Sequence, residues 1–552
     1  MSYNTINDKF LIADIKETYG KYIGEKKEPK KGEVVSVDEP YTGIMQEIYV
    51  KTYDVASNID DKLEKQEFKA TYDKMEYPLD KDVIKTLSQI IGDKEELLYS
   101  SAKELDKLWS MLLRKSIMCL RYFDTREPFM FDSSKNAIAY GIEQLEEYHN
   151  RYTQFESLLY GASEYYRDHI FHAVRTWLIG IFCLLHDTEN PFIDEIQIDG
   201  VAEKEKFAKK INFFEKLSIW TISALCHDLG YPLEKSQQVL EKTKNMMKEF
   251  VPNPMVLSNF TFTGIQDNIN EYIVKFMSTK MKEVPKENDI SEENDVEHAS
   301  KKEYYGRIQP KYYLKYTKSL EKSKHGIISA VIIYKMLLYF LESDFNLNDD
   351  YVYSLEDARQ FYIRREILRS ISSHTCSDIY NIKNTTFSSL LFICDEMQEW
   401  GRKSWNDLYT NVNPNSVKLF IEKFDSESIE YSETIDMDIK EEGLIIDNII
   451  RLYSRQFEGY QLIFRDGQYT NSRTFNLTKS IKINAGQNVS KSNDIKITFK
   501  LLAKSENEFE IDVSDSQITG KKVEEVFKDK LNIKELPEVI RIVDGKEKAK
   551  NK

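Results

Sequence analysis

The sequence predicts a mainly α protein: a helical bundle at the centre, an N-terminal extension before it and a small β-rich (α+β) domain after it. Three observations carry this. Apolar residues recur at helical spacing from Val83 to beyond residue 340. After about residue 412 the texture changes to strand-like alternation, in Ile495, Ile497, Phe499 and Leu501 and again in Phe509, Ile511 and Val513. The chain has 552 residues, 41% of them hydrophobic, with 34 tyrosines and 29 phenylalanines, which is enough for a sizeable core and more than one domain.

Residues 1–135 form the extension. Its first 80 residues are mixed and charged, with "GEKKEPKKGE" at 24–33 as a loop, and read as an arm or small cap. "VIKTLSQIIG" and "LDKLWSMLLRKSIMCLRYF" then bring in helical spacing up to about Tyr122. Residues 136–412 form the central domain, helical over 136–185, 203–227 and 323–342. Within it, 281–305 is dense in charge and poor in apolar residues, so it reads as an exposed, mobile insertion. Residues 413–552 form the β-rich domain, with Asp466-Gly467 as a hairpin signal and a charged tail.

Composition narrows the function. A net charge of -15 argues against broad binding to nucleic acid or anionic membrane, because a polyanion needs a basic footprint. A local basic pocket stays compatible with it. The five cysteines form no CxxC pair and mostly sit in apolar stretches, which suits reduced core thiols rather than a zinc site. The start has no basic-then-apolar leader, and the longest apolar run, "GIISAVIIYKMLLYFL", is interrupted by Lys335. The expectation is a cytoplasmic protein without membrane spans.

The chemistry must come from the bundle. Of eight histidines, His172, His186, His227, His325 and His374 lie in or beside apolar helical segments, with His169 one turn before His172. Taken singly, each is more often a hydrogen-bonded core residue than a ligand. Imidazoles and carboxylates from several helices can nevertheless converge on a divalent ion. Two His-Asp dipeptides compete for that place. On one helix His186 stands about 14 residues beyond His172, roughly 21 Å at 1.5 Å per residue, too far to share an ion. His186-Asp187 is therefore the decoy. His227-Asp228 ends a second helix, "INFFEKLSIWTISALC", that can pack beside the first.

The order His172, His227-Asp228, His325, His374, Asp395 resembles the HD superfamily of metal-dependent phosphohydrolases, in the version with additional histidines. The resemblance spans roughly residues 160–405. Its closing segment, "ISSHTCSDIYNIKNTTFSSLLFICDEMQEWGR", looks like that of the bacterial diadenosine-tetraphosphate hydrolases of the superfamily. It implies an HD-type helical core and two divalent ions (Mn, Fe, Co or Mg). His172, His227, Asp228 and Asp395 would hold the first, and Asp228, His325 and His374 the second. The implied reaction is hydrolysis of a nucleotide or nucleotide-derived phosphodiester or phosphoanhydride by water activated between the ions.

Around that set, Arg402 and Lys235 are candidates for phosphate contacts, and Asp168 or Glu234 for an orienting carboxylate or proton relay. Many superfamily members read "HD-x-G-K"; here Tyr231 stands in the lysine's place and Lys235 follows one turn later. The "GYP" at 230–232 lacks the longer motif of the HD-GYP cyclic-di-GMP phosphodiesterases. About 97 residues separate Asp228 from His325, room for a lid or an interface. Two other readings fit the same residues: a deoxynucleoside triphosphate triphosphohydrolase, and a non-catalytic nucleotide sensor. The expected partner is the nucleotide itself, with room for a homo-oligomer or a regulatory protein, no membrane, and nucleic acid disfavoured.

Overall fold

A computed structural model of the chain describes residues 5–22, 77–97, 101–124, 141–162, 167–187, 193, 211–248, 265–284, 303–343, 345–347, 351–376, 386–402, 417–425, 427–437, 442–458, 476–485, 493–502 and 506–545. The helical part runs α1 (Asp8–Tyr22), α2 (Lys81–Ile91), α3 (Ala102–Tyr122), α4 (Ile142–Ala162), α5 (Ile170–His186), α6 (Phe213–Cys226), α7 (Tyr231–Lys248) and α8 (Ile265–Ser278). A hairpin of β1 (Thr279–Glu283) and β2 (Tyr304–Ile308) follows, then α9 (Pro310–Glu321), α10 (His325–Met336), α11 (Leu355–Ser373) and α12 (Phe387–Met397).

Helices α5 and α6 form the centre because they are apolar on every side. α5 is buried without a break from Ile170 to Leu185, and α6 at every residue except Lys216. They approach closely at Gly180, where a methyl group would lie 2.0 Å from a ring carbon of Trp220. The two indoles lock the crossing: Trp177 Nε1 donates to Thr221 Oγ1 at 2.9 Å, and Trp220 Nε1 to the Trp177 carbonyl at 3.0 Å. α1 and α12 pack on α5, whereas α3 and α11 pack on α6.

Helix starts set which ends meet. Asn212 and Glu215 cap α6 reciprocally, and Ser354 and Asp357 do the same for α11, devices worth about 1 kcal/mol each. The buried Glu215 carboxylate also accepts from Arg359 of α11 at 2.6 Å. With their starts pinned together the two helices run in parallel. Ser223 and Ser370 meet at 2.8 Å further along, and the residues just past both ends, His227 and His374, come side by side with ring centres 5.0 Å apart.

The second part is a six-stranded sheet in the order β3 (Lys418–Phe424), β4 (Ser428–Met437), β5 (Asn476–Ala485), β6 (Asn493–Leu502), β7 (Glu508–Asp515) and β8 (Ile540–Val543). β4–β5 and β7–β8 are parallel, the other pairs antiparallel. Each parallel step needs a crossover, and the helices α13 (Glu442–Leu452) and α14 (Gly520–Lys530) lie in those connections. The expected alternation holds: Ile495, Ile497, Phe499 and Leu501 are buried, as are Phe509, Ile511 and Val513. The same buried face carries Lys479 on β5 and Glu433 on β4, paired at 2.8 Å.

Two expectations change. Part of the supposed N-terminal arm is core, because α1 lies against α5 and Asp8 is fully buried. Ile6 moreover forms a bridge to Leu419, tying the start of the chain to the edge of the six-stranded sheet. The supposed insertion at 281–305 begins and ends in the β1–β2 hairpin, with Met281 and Tyr304 fully buried. Its residues 285–302, like Asp466-Gly467 and the charged tail, lie outside the described residues. Among the described residues no helix is long and apolar enough to cross a membrane. The five cysteines are buried and form no disulfide.

Candidate metal centre

Five helices deliver the candidate ligands to one place. His172 stands in the first turn of α5, His227 and Asp228 in the turn after α6, His325 at the first position of α10, His374 just after α11 and Asp395 on α12. The turn after α6 docks directly on α10. Gly230 makes this close approach feasible, since a methyl group there would lie 2.3 Å from the His325 carbonyl oxygen. Gly230 N donates to Ser329 Oγ at 2.7 Å, and that hydroxyl lies 2.7 Å from the His227 carbonyl.

Asp228 is the pivot. Its Oδ2 lies 3.1 Å from His227 Nε2 and 4.0 Å from His172 Nε2. Its Oδ1 lies 3.3 Å from His325 Nε2 and 3.5 Å from His374 Nε2. The carboxylate thus turns one oxygen to each of two histidine pairs. His172, His227 and Asp228 form one group able to hold a metal ion, and Asp228, His325 and His374 a second, with the ligand atoms of each group all within 4.8 Å of one another. Asp395 joins the first side, its Oδ1 at 2.6 Å from His172 Nε2 and 3.8 Å from His227 Nε2.

All four imidazoles are wired the same way. Each places Nδ1 on an acceptor: His172 on Gln398 Oε1 at 2.6 Å, His227 on the Ala224 carbonyl at 2.7 Å, His325 on Glu234 Oε2 at 2.7 Å and His374 on the Ile371 carbonyl at 2.6 Å. Donation from Nδ1 of the neutral ring makes Nε2 the inward-facing atom, the arrangement that metal-binding histidines adopt. Nε2 of His227 and of His374 are buried without a hydrogen-bond partner. A buried acceptor left unmatched is costly, and a cation between the imidazoles and the carboxylates would match all of them. The donor set of imidazole nitrogen and carboxylate oxygen fits a divalent first-row ion.

Electrostatics agree with ionised carboxylates here. Burial pushes Asp228 up, but the charge of His227 and the nearness of the His227, His325 and His374 rings more than reverse it, holding the carboxyl well below its usual range. Asp395 is likewise lowered, burial being outweighed by His172. Burial pushes His325 down, yet its bonds to Asp228 and Glu234 raise it to about 9. A cation that takes Nε2 of His325 at neutral pH therefore has to release a proton.

Behind this ring stands a second layer. Glu234 holds both the backbone N–H of His325, at 2.8 Å, and its Nδ1. Of the two carboxylates considered for an orienting role, Glu234 touches a candidate ligand, whereas Asp168 accepts from Phe171 N at 3.3 Å in the first turn of α5. Gln398, which orients His172, donates its amide to the Trp400 carbonyl at 2.7 Å. Trp400 Nε1 in turn donates to Asp8 Oδ1 at 3.2 Å, and Asp8 is paired with Arg175 of α5 at 3.0 Å. Asp8, Arg175, Gln398 and Trp400 are all buried.

A cavity of about 270 Å³ opens on the centre, and every residue that lines it carries a polar atom. His172, Asp228, His325 and Asp395 are in its wall, together with Arg402. Lys235 is not; its ammonium sits 5.0 Å over the Tyr231 ring. Tyr231 itself lines the cavity, between His169 and His325. His186 is remote, bonded to Asp14 of α1 at 2.8 Å at the far end of α5. Sequence reasoning missed Arg167 and Arg455, which also line the cavity. Arg167, within "RDHIFH", had a signal in its nearness to His172, but Arg455 had none. No protein-family model, curated protein or solved structure matches the chain.

Proposed function

We propose that the protein is an HD-type metal-dependent phosphohydrolase that acts on a nucleotide or nucleotide-derived substrate with two divalent ions, from among Mn, Fe, Co and Mg. The observation that carries this reading is the Asp228 carboxylate facing two histidine pairs with its two oxygens. A shared carboxylate is what a pair of ions about 3.5–4 Å apart requires. His172, His227, Asp228 and Asp395 would hold one ion, and Asp228, His325 and His374 the other. Bound there, the ions would supply an activated water and neutralise charge on the phosphoryl oxygens.

The chain's own part is orientation. Glu234, Gln398 and the Ala224 and Ile371 carbonyls hold the four rings so that Nε2 faces inward. Arg402 offers a guanidinium to a phosphoryl oxygen from the cavity wall. No side chain is needed as nucleophile. The test is single-turnover product formation, after Mn²⁺ reconstitution, on mononucleotides, cyclic mono- and dinucleotides, dinucleoside polyphosphates and dNTPs. Wild type should form product, and His325→Ala and His374→Ala should each lose most of kcat while still binding one ion. Unimpaired chemistry in both variants would refute the two-ion mechanism and favour a one-ion triphosphohydrolase. A wild type that binds nucleotide but turns over none of the panel would favour a sensor.

A further inference from the structure

Three guanidiniums face the cavity beside the metal-binding groups: Arg167 just before α5, Arg402 just after α12, and Arg455. They are paired unequally. Arg167 donates to Glu399 at 2.8 Å. Arg402 gives its Nε to the Asp168 carbonyl at 3.2 Å, and among the described residues it has no carboxylate within ion-pair distance. Arg455 makes no hydrogen bond or ion pair among the described residues, although its charge reaches Glu396 and Glu399. Two cations that face a polar cavity without a carboxylate of their own leave room for an anion as partner.

Arg455 differs from the others in origin, because it belongs to the C-terminal domain. It sits in the π-helical turn Tyr453–Phe457, which continues α13. Such a turn widens the helix by one residue and re-aims the side chains on it. Its neighbours are fixed: Tyr453, Gln456 and Phe457 are buried, and the Tyr453 and Phe457 rings both pack on Phe509 of β7. The backbone is therefore anchored in the sheet domain while the guanidinium stands exposed at the rim of the cavity.

Resting on the hydrolase reading above, we propose that Arg455 binds an anionic group of the substrate next to the reacting phosphoryl group, so that the C-terminal domain selects substrates with two or more linked phosphoryl groups. The size of the cavity suits this. At about 270 Å³ it falls just below the roughly 300–1,000 Å³ of pockets that enclose a whole drug-sized ligand. Its mainly polar lining fits phosphoryl groups and leaves the organic part of the substrate outside the rim.

The test compares binding of methylenediphosphonate, two linked phosphonates without a hydrolysable bridge, with that of methylphosphonate, by calorimetry on the full chain in excess Mn²⁺. Wild type should prefer the diphosphonate, and Arg455→Gln should reduce that preference about tenfold or more through loss of a charge-assisted bond. Arg455→Lys should recover part of it, and metal content and thermal unfolding of both variants should match wild type because the side chain is exposed. No preference in wild type, or the same preference in Arg455→Gln, overturns the proposal. The two readings fail separately. A preference lost with Arg455 in a protein that hydrolyses nothing keeps the anion site and sinks the hydrolase. Turnover with an Arg455-independent preference does the reverse.

Discussion

The chain contains the dipeptide His-Asp twice, at 186–187 and 227–228, each time at the end of an apolar helix, and the fold treats the two oppositely. His186 keeps about a third of its side chain exposed and meets a single carboxylate, Asp14. His227 is fully buried, has its Nδ1 held by a carbonyl, and turns a bare Nε2 toward Asp228 and Asp395. The first is a partly exposed polar contact, of a kind worth about 0–1 kcal/mol. The second belongs to a buried constellation in which acceptors outnumber donors. The dipeptide itself says nothing; what converges on it from other helices decides.

That contrast is open to attack, most strongly at Asp228. Asp228→Ala removes the carboxylate common to both groups, so both ions and turnover should be lost, by a factor on the order of 10³ or more. Elemental analysis that still finds two ions per chain in this variant would break the contrast. Asp8→Ala strands the buried Arg175 guanidinium and releases Trp400. It should cost about 3–5 kcal/mol in urea unfolding, and unchanged stability would show that the Asp8–Arg175 pair supports nothing. Glu234→Gln should weaken metal binding about 10–100-fold, as loss of an outer-layer partner does; chelator competition reads this directly. The smallest effect belongs to His186→Ala, within about 1 kcal/mol of wild type and with full metal content. Equal metal loss in His186→Ala and His227→Ala, with both folded, would mean that the wrong pair has been singled out.

The parts legible in the sequence are those whose signal is local. Helical periodicity exposed α5, α6 and α10, and strict alternation exposed β6 and β7, because burial on one side writes itself into neighbouring residues. Histidines are scarce in this chain, so six ligand-type residues in a familiar order stood out. Residues whose role comes from a distant partner did not. Asp8 looks like any acidic residue near a chain start; its meaning lies in Arg175 and Trp400, 167 and 392 residues away. Gln398 has no chemical mark of its own. Lys235 shows the converse case, since one-turn spacing from Tyr231 suggested a phosphate contact, while in the fold its ammonium sits 5.0 Å over that ring and the residue is not among those lining the cavity.

The bond from Trp400 to Asp8 also sets a timetable. Ribosomes add about 5–20 residues per second, so roughly 20–80 s pass between the emergence of α1 and that of its indole partner. Through that interval Arg175 and Asp8 can find each other, but the belt around His172 stays open, because Asp395, Gln398 and Trp400 are all still to come. Closing so long a loop comes at an entropic penalty that only the finished core offsets. A nascent chain halted before residue 395 therefore holds four of the five ligand-delivering helices in full, yet lacks the carboxylate and the amide that close the surroundings of His172.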